Sequence, residues 1–164
     1  MRALPFLVKE ETKNEWDYSN IENCSSRLSR NFFSIALSGW SSLVIGASAS
    51  SGRGSRESDP SIASLGIVNA KGQDDMWNVE VKLIEGATLP EGIQIWIRRT
   101  GNGMGAGWIR GGTSYQLVDP AGTLFFTGAG DRSHITVQFK VSGISPETPK
   151  GIYAPHIAFT VVDL

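Results

Sequence analysis

The sequence predicts an all-β protein built as an antiparallel sandwich, and three observations support this fold class. Apolar and polar residues alternate with a period of two in one segment after another, which is the pattern of half-buried strands. The chain has 19 glycines and seven prolines among 164 residues, which indicates many turns. Helix signals are nearly absent. At this length we expect one domain with a single core.

The clearest predicted strand runs from His134 to Val141, where every second residue is apolar. The segments from Asn31 to Ser38, from Trp77 to Leu83 and from Gly92 to Arg98 repeat this alternation. Further strands are predicted at Leu4–Val8, Leu43–Ala47, Leu65–Val68, Ser114–Val118, Gly122–Phe126 and Ile152–Val162. Nine or ten short strands separated by Gly, Pro and Asp turns favour a sandwich over a barrel or an α/β fold.

Two long loops are predicted between these strands. Residues 48–60, SASSGRGSRESDP, have no apolar period and no residue able to anchor a core, so we expect a flexible surface loop. Residues 101–112 contain six glycines and are expected to form a mobile hairpin connection between Arg98 and Tyr115. A phosphate-binding loop is disfavoured there, because the Gly-Lys-Ser/Thr sequence and a following helix are missing.

Charge and hydropathy exclude several classes of partner. Fifteen basic and 16 acidic residues leave a net charge of -1, so we expect neither nucleic acid nor an anionic membrane surface as a partner. No apolar run approaches the roughly 18 residues of a membrane span. The opening residues MRALPFLV are too short for a signal peptide, so secretion would require a leader that has already been removed.

No constellation of catalytic or metal-binding residues emerges from the sequence. Cys24 is the only cysteine, which leaves either a buried thiol or an inter-chain cross-link. His134 and His156 are too few for the common zinc sites. Asp131 and Ser133 lie near His134 but lack the nucleophile elbow of a hydrolase. We therefore expect a non-catalytic protein without a cofactor or metal.

Trp96 is the most informative aromatic residue, because the alternation places it on the polar face of its strand. Three explanations stay open: a loop covers it, another subunit contacts it, or a sugar stacks on it. Trp108 and Tyr115 would extend such a ligand surface across the next strands. The other three tryptophans are expected in the core: Trp16, Trp40 and Trp77.

Three segments carry a family resemblance. Residues 145–161 read SPETPKGIYAPHIAFTV, and residues 16–21 and 33–43 read WDYSNI and FSIALSGWSSL. They resemble the final strands and the paired early strands of secreted prokaryotic immunoglobulin-like surface domains, a group that includes pilin-like fibre subunits and spore-coat-type proteins. The resemblance covers residues 14–163. It implies an immunoglobulin-like β-sandwich and a structural or adhesive protein at the cell surface or in an extracellular filament, without catalytic residues.

The N-terminus carries an assembly hypothesis. Residues 1–13 comprise a short apolar strand, Leu4 to Val8, and a charged tether, ahead of a sandwich formed by residues 14–164. The strand either pairs within its own sandwich, or Leu4, Phe6 and Val8 add to an open sheet edge of another subunit. Pro155 predicts that the last strand is an edge or bends there. We expect self-association into a homopolymer or association with other envelope proteins; the alternative is a carbohydrate-binding module whose partner is a glycan.

Overall fold

A computed structural model describes residues 33–39, 43–45, 54–69, 72–84, 89–153 and 155–164. These ranges contain twelve strands and no helix, which confirms the all-β prediction. No helix long and apolar enough to cross a membrane occurs in them. The strands are β1 (Phe33–Gly39), β2 (Leu43–Ile45), β3 (Gly54–Glu57), β4 (Ala63–Asn69), β5 (Met76–Leu83), β6 (Gln94–Arg99), β7 (Ile109–Arg110), β8 (Gln116–Leu117), β9 (Thr123–Ala129), β10 (Arg132–Ile144), β11 (Gly151–Tyr153) and β12 (Ile157–Asp163).

Antiparallel pairing organises these strands into two main sheets and a ribbon. The six-stranded sheet has the order β1-β4-β10-β6-β8, and β3 also pairs with β10. The four-stranded sheet has the order β12-β5-β9-β7, and β2 pairs with β11 in a separate ribbon. The predicted strand Ile152–Val162 is therefore two strands in different sheets, with Pro155 between them, and β12 is an edge among the described residues, which is one of the two alternatives predicted from this proline.

The two sheets face each other across one apolar core, which gives a sandwich-like fold. The six-stranded sheet contributes aliphatic side chains such as Leu65, Ile97 and Val137, all fully buried. The four-stranded sheet contributes aromatic rings, and Trp77 meets Phe126 edge to face with 6.1 Å between ring centroids. Burial of these period-two side chains drives the sheets together. The core position predicted for Trp77 is confirmed, whereas Trp16 and Trp40 lie outside the described residues.

Strand β3 shows that the prediction of an irregular loop across residues 48–60 is wrong for residues 54–57. All four of its residues are exposed and none is apolar, so no apolar period marks the strand. Its backbone pairs with β10 instead, with Glu57 opposite Lys140 and Gly54 opposite Ile144. Strand β4 pairs with an earlier part of β10. Residues 58–62 therefore connect β3 to β4, and both of these strands pair with β10.

The glycine-rich segment 101–112 joins two adjacent antiparallel strands, β6 and β8, as the predicted hairpin connection requires, but it is not a simple loop, because it crosses to the other sheet between them. β6 lies in the six-stranded sheet, β7 pairs with β9 in the four-stranded sheet, and the chain then returns to β8 beside β6. A methyl group on Gly105 would overlap the carbonyl oxygen of Asp131, and one on Gly107 would overlap that of Ala129. Glycine is required because the crossover backbone lies directly against the β9–β10 turn.

Two arginines stabilise this crossover by hydrogen bonds. Arg99 is only 5% exposed, and it donates from Nε to the carbonyl oxygen of Gly111 at 3.0 Å and from Nη1 to Asn102 Oδ1. Arg132 donates to the carbonyl oxygens of Asn102 at 2.9 Å and Gly107 at 2.8 Å. Burial, together with the positive charge of Arg132, lowers the pKa of Arg99. The guanidinium groups thus satisfy carbonyl groups that no strand partner reaches.

Candidate functional site

The outer face of the six-stranded sheet carries the aromatic residue that the sequence singles out. Ile95 and Ile97 are buried in the core, so Trp96 between them faces outward and is half-buried. The register of β6 and β10 places Trp96 opposite Lys140. Tyr115, directly before β8, lies on the same face, because Lys140 contacts both aromatic rings.

Two cations lie against these rings. The Nζ atom of Lys140 is 4.4 Å from the centroid of the Tyr115 ring and 5.3 Å from that of Trp96. The Cζ atom of Arg98 is 4.7 Å from the Tyr115 centroid. All three distances are those of cation–π interactions. We call Trp96, Arg98, Tyr115 and Lys140 the cation–aromatic cluster.

Trp96 is partly covered by side chains of β10. Its Nε1 donates a hydrogen bond of 2.8 Å to Ser142 Oγ, and the ammonium group of Lys140 lies over its ring. A sugar that stacked on Trp96 and Tyr115 would have to displace Lys140 from both rings. The geometry therefore disfavours simple sugar stacking on this pair.

Trp108 belongs to a different part of the molecule. It directly precedes β7, and its carbonyl oxygen accepts a hydrogen bond of 3.0 Å from the backbone nitrogen of Ala129 in the four-stranded sheet. Arg110 stacks on its ring, with Cζ 5.1 Å from the centroid. The structure thus unites Trp96 and Tyr115 but associates Trp108 with the other sheet.

Sequence reasoning missed the residue that supports the cluster, Gln138. It is only 3% exposed although the alternation places it on the outer, polar face. Its Oε1 accepts a hydrogen bond of 2.8 Å from Arg98 Nε, and its Nε2 donates one of 2.7 Å to the carbonyl oxygen of Ser58. Ser58 in turn pairs with the backbone of Phe139. A polar residue at a polar position gives no sequence signal of burial, since its cover comes from residues far away in the chain.

The charges around Tyr115 are mixed. Burial raises the pKa of Tyr115, the positive charge of Arg98 opposes this shift, and the carboxylate of Glu57 acts in the same direction as burial. The tyrosine hydroxyl is enclosed, and the groups that act on it are the Glu57 carboxylate and the Arg98 guanidinium. At neutral pH the cluster therefore combines two cations with a neutral phenol, close to one carboxylate.

The other sequence candidates do not converge on a site. Within the described ranges, no three His, Cys, Asp or Glu side chains are grouped so that they could hold a metal ion. His134 and His156 are both exposed, and His134 has a φ of 57°. The assembly residues Leu4, Phe6 and Val8, and also Cys24, lie outside the described residues, so their roles stay predictions.

No family model, no curated protein and no solved structure matches this chain. The resemblance to immunoglobulin-like surface proteins therefore stays a prediction. Function has to be argued from the geometry of this molecule itself.

Replacing Gln138 with leucine is expected to lower the free energy of unfolding by about 1–3 kcal/mol. The substitution leaves the buried amide partners, Arg98 Nε and the Ser58 carbonyl oxygen, without their hydrogen bonds. Gln94→Leu is the matched control, because Gln94 is exposed on the same sheet face, and we expect it to change stability by less than about 0.5 kcal/mol. Urea denaturation followed by circular dichroism measures both; equal effects would contradict the supporting role of Gln138.

Proposed function

We propose that this chain is a non-catalytic structural or adhesive subunit that assembles with further copies by β-strand addition. In this proposal the sandwich has an immunoglobulin-like topology, and the assembly is a pilus, fibre, coat or surface layer outside the cell. The topology and the location rest on the sequence resemblance. The assembly itself is supported by the length, composition and pairing of the two long sheet edges.

Strands β1 and β12 are edges that lack the usual protection against pairing. Each is seven residues long and is paired along one side only among the described residues. Neither contains Lys, Arg or Pro, neither pairing has a bulge, and the only charged residue is Asp163 at the end of β12. Proteins normally protect such edges with charges, prolines, bulges or short length. The opposite edges, β7 and β8, are protected in this way, because each is only two residues long.

The two unprotected edges lie on the same side of the molecule. In the ribbon, β2 and β11 pair with Leu43 opposite Tyr153. Although β1 and β12 belong to different sheets, Cα atoms of the two strands approach within 8 Å.

Side-chain exposure rises along β12 toward its end. Ile157 is 2% exposed, whereas Val162 near the other end is 38% exposed. The accessible part of this edge is therefore its second half, which continues into the exposed Leu164. An added strand could form main-chain hydrogen bonds there, and the apolar side chains of Leu4, Phe6 and Val8 would cover the exposed valine and leucine.

The alternative of a carbohydrate-binding module that stacks sugars on exposed aromatic residues has less support. Lys140 already occupies the space over the rings of Trp96 and Tyr115, and Trp108 is associated with the other sheet. Strand addition requires no such displacement.

Deletion of residues 1–9 is expected to abolish assembly while the sandwich stays folded, because the added strand is removed and the described core is untouched. Light scattering coupled to size exclusion, with electron micrographs, measures assembly, and circular dichroism checks the fold. Normal assembly of the truncated protein would overturn strand addition by Leu4 to Val8.

A charge on the edge tests the acceptor strand separately. Val162→Lys places a cation on β12 and is expected to block assembly. Val68→Lys is its control, since Val68 is 53% exposed on β4, which lies between β1 and β10. If both lysine variants assemble like the unmodified chain, β12 is not the acceptor edge.

A further inference from the structure

Among the described residues, the cation–aromatic cluster holds two cations, Arg98 and Lys140, against one carboxylate, Glu57, that acts on Tyr115, so it keeps an excess of positive charge. Among the described residues, the contacts of the Lys140 ammonium group are the two aromatic rings, and it forms no hydrogen bond or ion pair. Among the described residues, Arg98 donates from Nε to Gln138, and its guanidinium group also lies close to the Tyr115 hydroxyl. Glu57 stands opposite Lys140 in the register but forms no ion pair with it. An excess of positive charge at a half-buried surface favours an anionic partner.

Arg98 is held in place for such a partner. Gln138 is buried and fixed by Ser58, and it orients the guanidinium group through Nε. The Tyr115 ring supports the same group from one side. With Nε engaged by Gln138, the guanidinium group would offer its terminal nitrogens to the two oxygens of a carboxylate. Less conformational entropy is lost on binding because the fork is already positioned.

We propose that this cluster binds the carboxylate groups of an acidic polysaccharide between Arg98 and Lys140. The guanidinium fork takes one carboxylate in a bidentate pair of hydrogen bonds, and the Lys140 ammonium group attracts the same or the neighbouring carboxylate. The sugar rings lie across the sheet face and do not replace the cations on the aromatic rings. This surface is distinct from the β1 and β12 edges, so the proposal does not depend on strand addition.

The position of the cations favours a polysaccharide over an acidic peptide. Arg98 and Lys140 stand on β6 and β10, whose backbones pair with strands on both sides. An extended peptide would gain no main-chain hydrogen bonds there, which are its main source of affinity on a sheet. Side chains with amide and hydroxyl groups, Gln94 and Ser142, border the cluster and suit sugar hydroxyl groups.

Recognition would be local, because the whole chain has a net charge of -1. A general attraction for polyanions is therefore absent, and binding depends on the two cations of the cluster. We expect the affinity to fall with rising salt concentration, since the cations are only half-buried.

Titration calorimetry with oligogalacturonate, whose sugars carry carboxylates, tests the proposal. Arg98→Gln and Lys140→Gln are each expected to weaken binding on the order of tenfold to a hundredfold, since each removes a charge-assisted contact. Arg110→Gln is the matched control, because Arg110 also stacks on an aromatic ring but beside Trp108. It should leave the affinity unchanged, and fully methyl-esterified oligogalacturonate should not bind.

The outcomes separate the proposal from its alternatives. No binding of oligogalacturonate, equal binding of the methyl ester, or an equal loss in Arg110→Gln would each overturn it. Polyglutamate that binds as tightly as oligogalacturonate would overturn the choice of a polysaccharide. Lys140→Gln is not expected to change the stability of the fold, because Lys140 donates no hydrogen bond within the described protein. Thermal unfolding of each variant checks that its fold is intact.

Discussion

Replacing Trp77 with alanine is expected to lower the free energy of unfolding by about 3–5 kcal/mol. Trp77 is fully buried between the sheets and packs edge to face on Phe126. Its Nε1 also donates a hydrogen bond of 3.0 Å to the carbonyl oxygen of Gly130. The substitution removes the ring, leaves a cavity and deprives this carbonyl of its donor. Because domains are stable by only about 5–15 kcal/mol, much of this protein would unfold at moderate temperature.

The neighbouring residue provides the control for this prediction. Met76 lies next to Trp77 in β5 but is 42% exposed, so Met76→Ala is expected to cost less than about 1 kcal/mol. Trp77→Phe should fall between the two, because it keeps an aromatic ring but loses the indole donor. Urea denaturation followed by far-ultraviolet circular dichroism avoids the loss of tryptophan fluorescence. Similar midpoints for Trp77→Ala and Met76→Ala would contradict the core position of Trp77.

Replacing Gly105 with alanine is expected to destabilise the protein markedly more than replacing Gly72. The two glycines have nearly the same φ, +142° and +138°, so each alanine bears a similar backbone strain of about 1–3 kcal/mol. At Gly105 the methyl group would also overlap the carbonyl oxygen of Asp131, whereas nothing lies within 4 Å of it at Gly72. We expect this overlap to cost about another 1–3 kcal/mol.

Comparing the two variants separates the cost of the steric overlap at Gly105 from the cost of backbone strain, which both variants share. Thermal and chemical unfolding of the two single variants measures the difference directly. Equal destabilisation would mean that residues 101–112 do not rest on the β9–β10 turn. In that case the mobile connection predicted from the glycine content would be the better description.

Much of the fold could be predicted from alternation alone. Strands β5 and β6 bury every second residue as expected, because a strand turns successive side chains to opposite faces whatever its partner is. Successive buried residues interrupt this period in other predicted strands, at Gln138 in β10 and at the adjacent pair Phe125 and Phe126 in β9. A register shift between β5 and β9 adds one residue to β9 there, and the position of such a bulge depends on the pairing with the partner strand.

Elements without a buried face could not be predicted. Strand β3 exposes all its side chains, and β7 has only two residues, so neither has a period to detect. The glycines of residues 101–112 suggested freedom of the backbone. In the structure they permit close contact with another backbone, which depends on chain segments outside the loop.

The candidate site could likewise be predicted only in part. Alternation was sufficient to turn Trp96 outward, because that depends on its own strand. It could not show that Lys140 covers Trp96, that Gln138 is buried, or that Tyr115 joins the cluster and Trp108 does not.

The sequence by itself determined the fold class, the inward faces of the main strands and the outward position of Trp96. Only the tertiary structure decided the strand order, the crossover of residues 101–112, the edge positions of β1 and β12 among the described strands, and the grouping of Arg98, Tyr115 and Lys140. The physical reason is that burial along one strand follows from local side-chain geometry, whereas pairing, register and cover depend on contacts between residues that are distant in the chain.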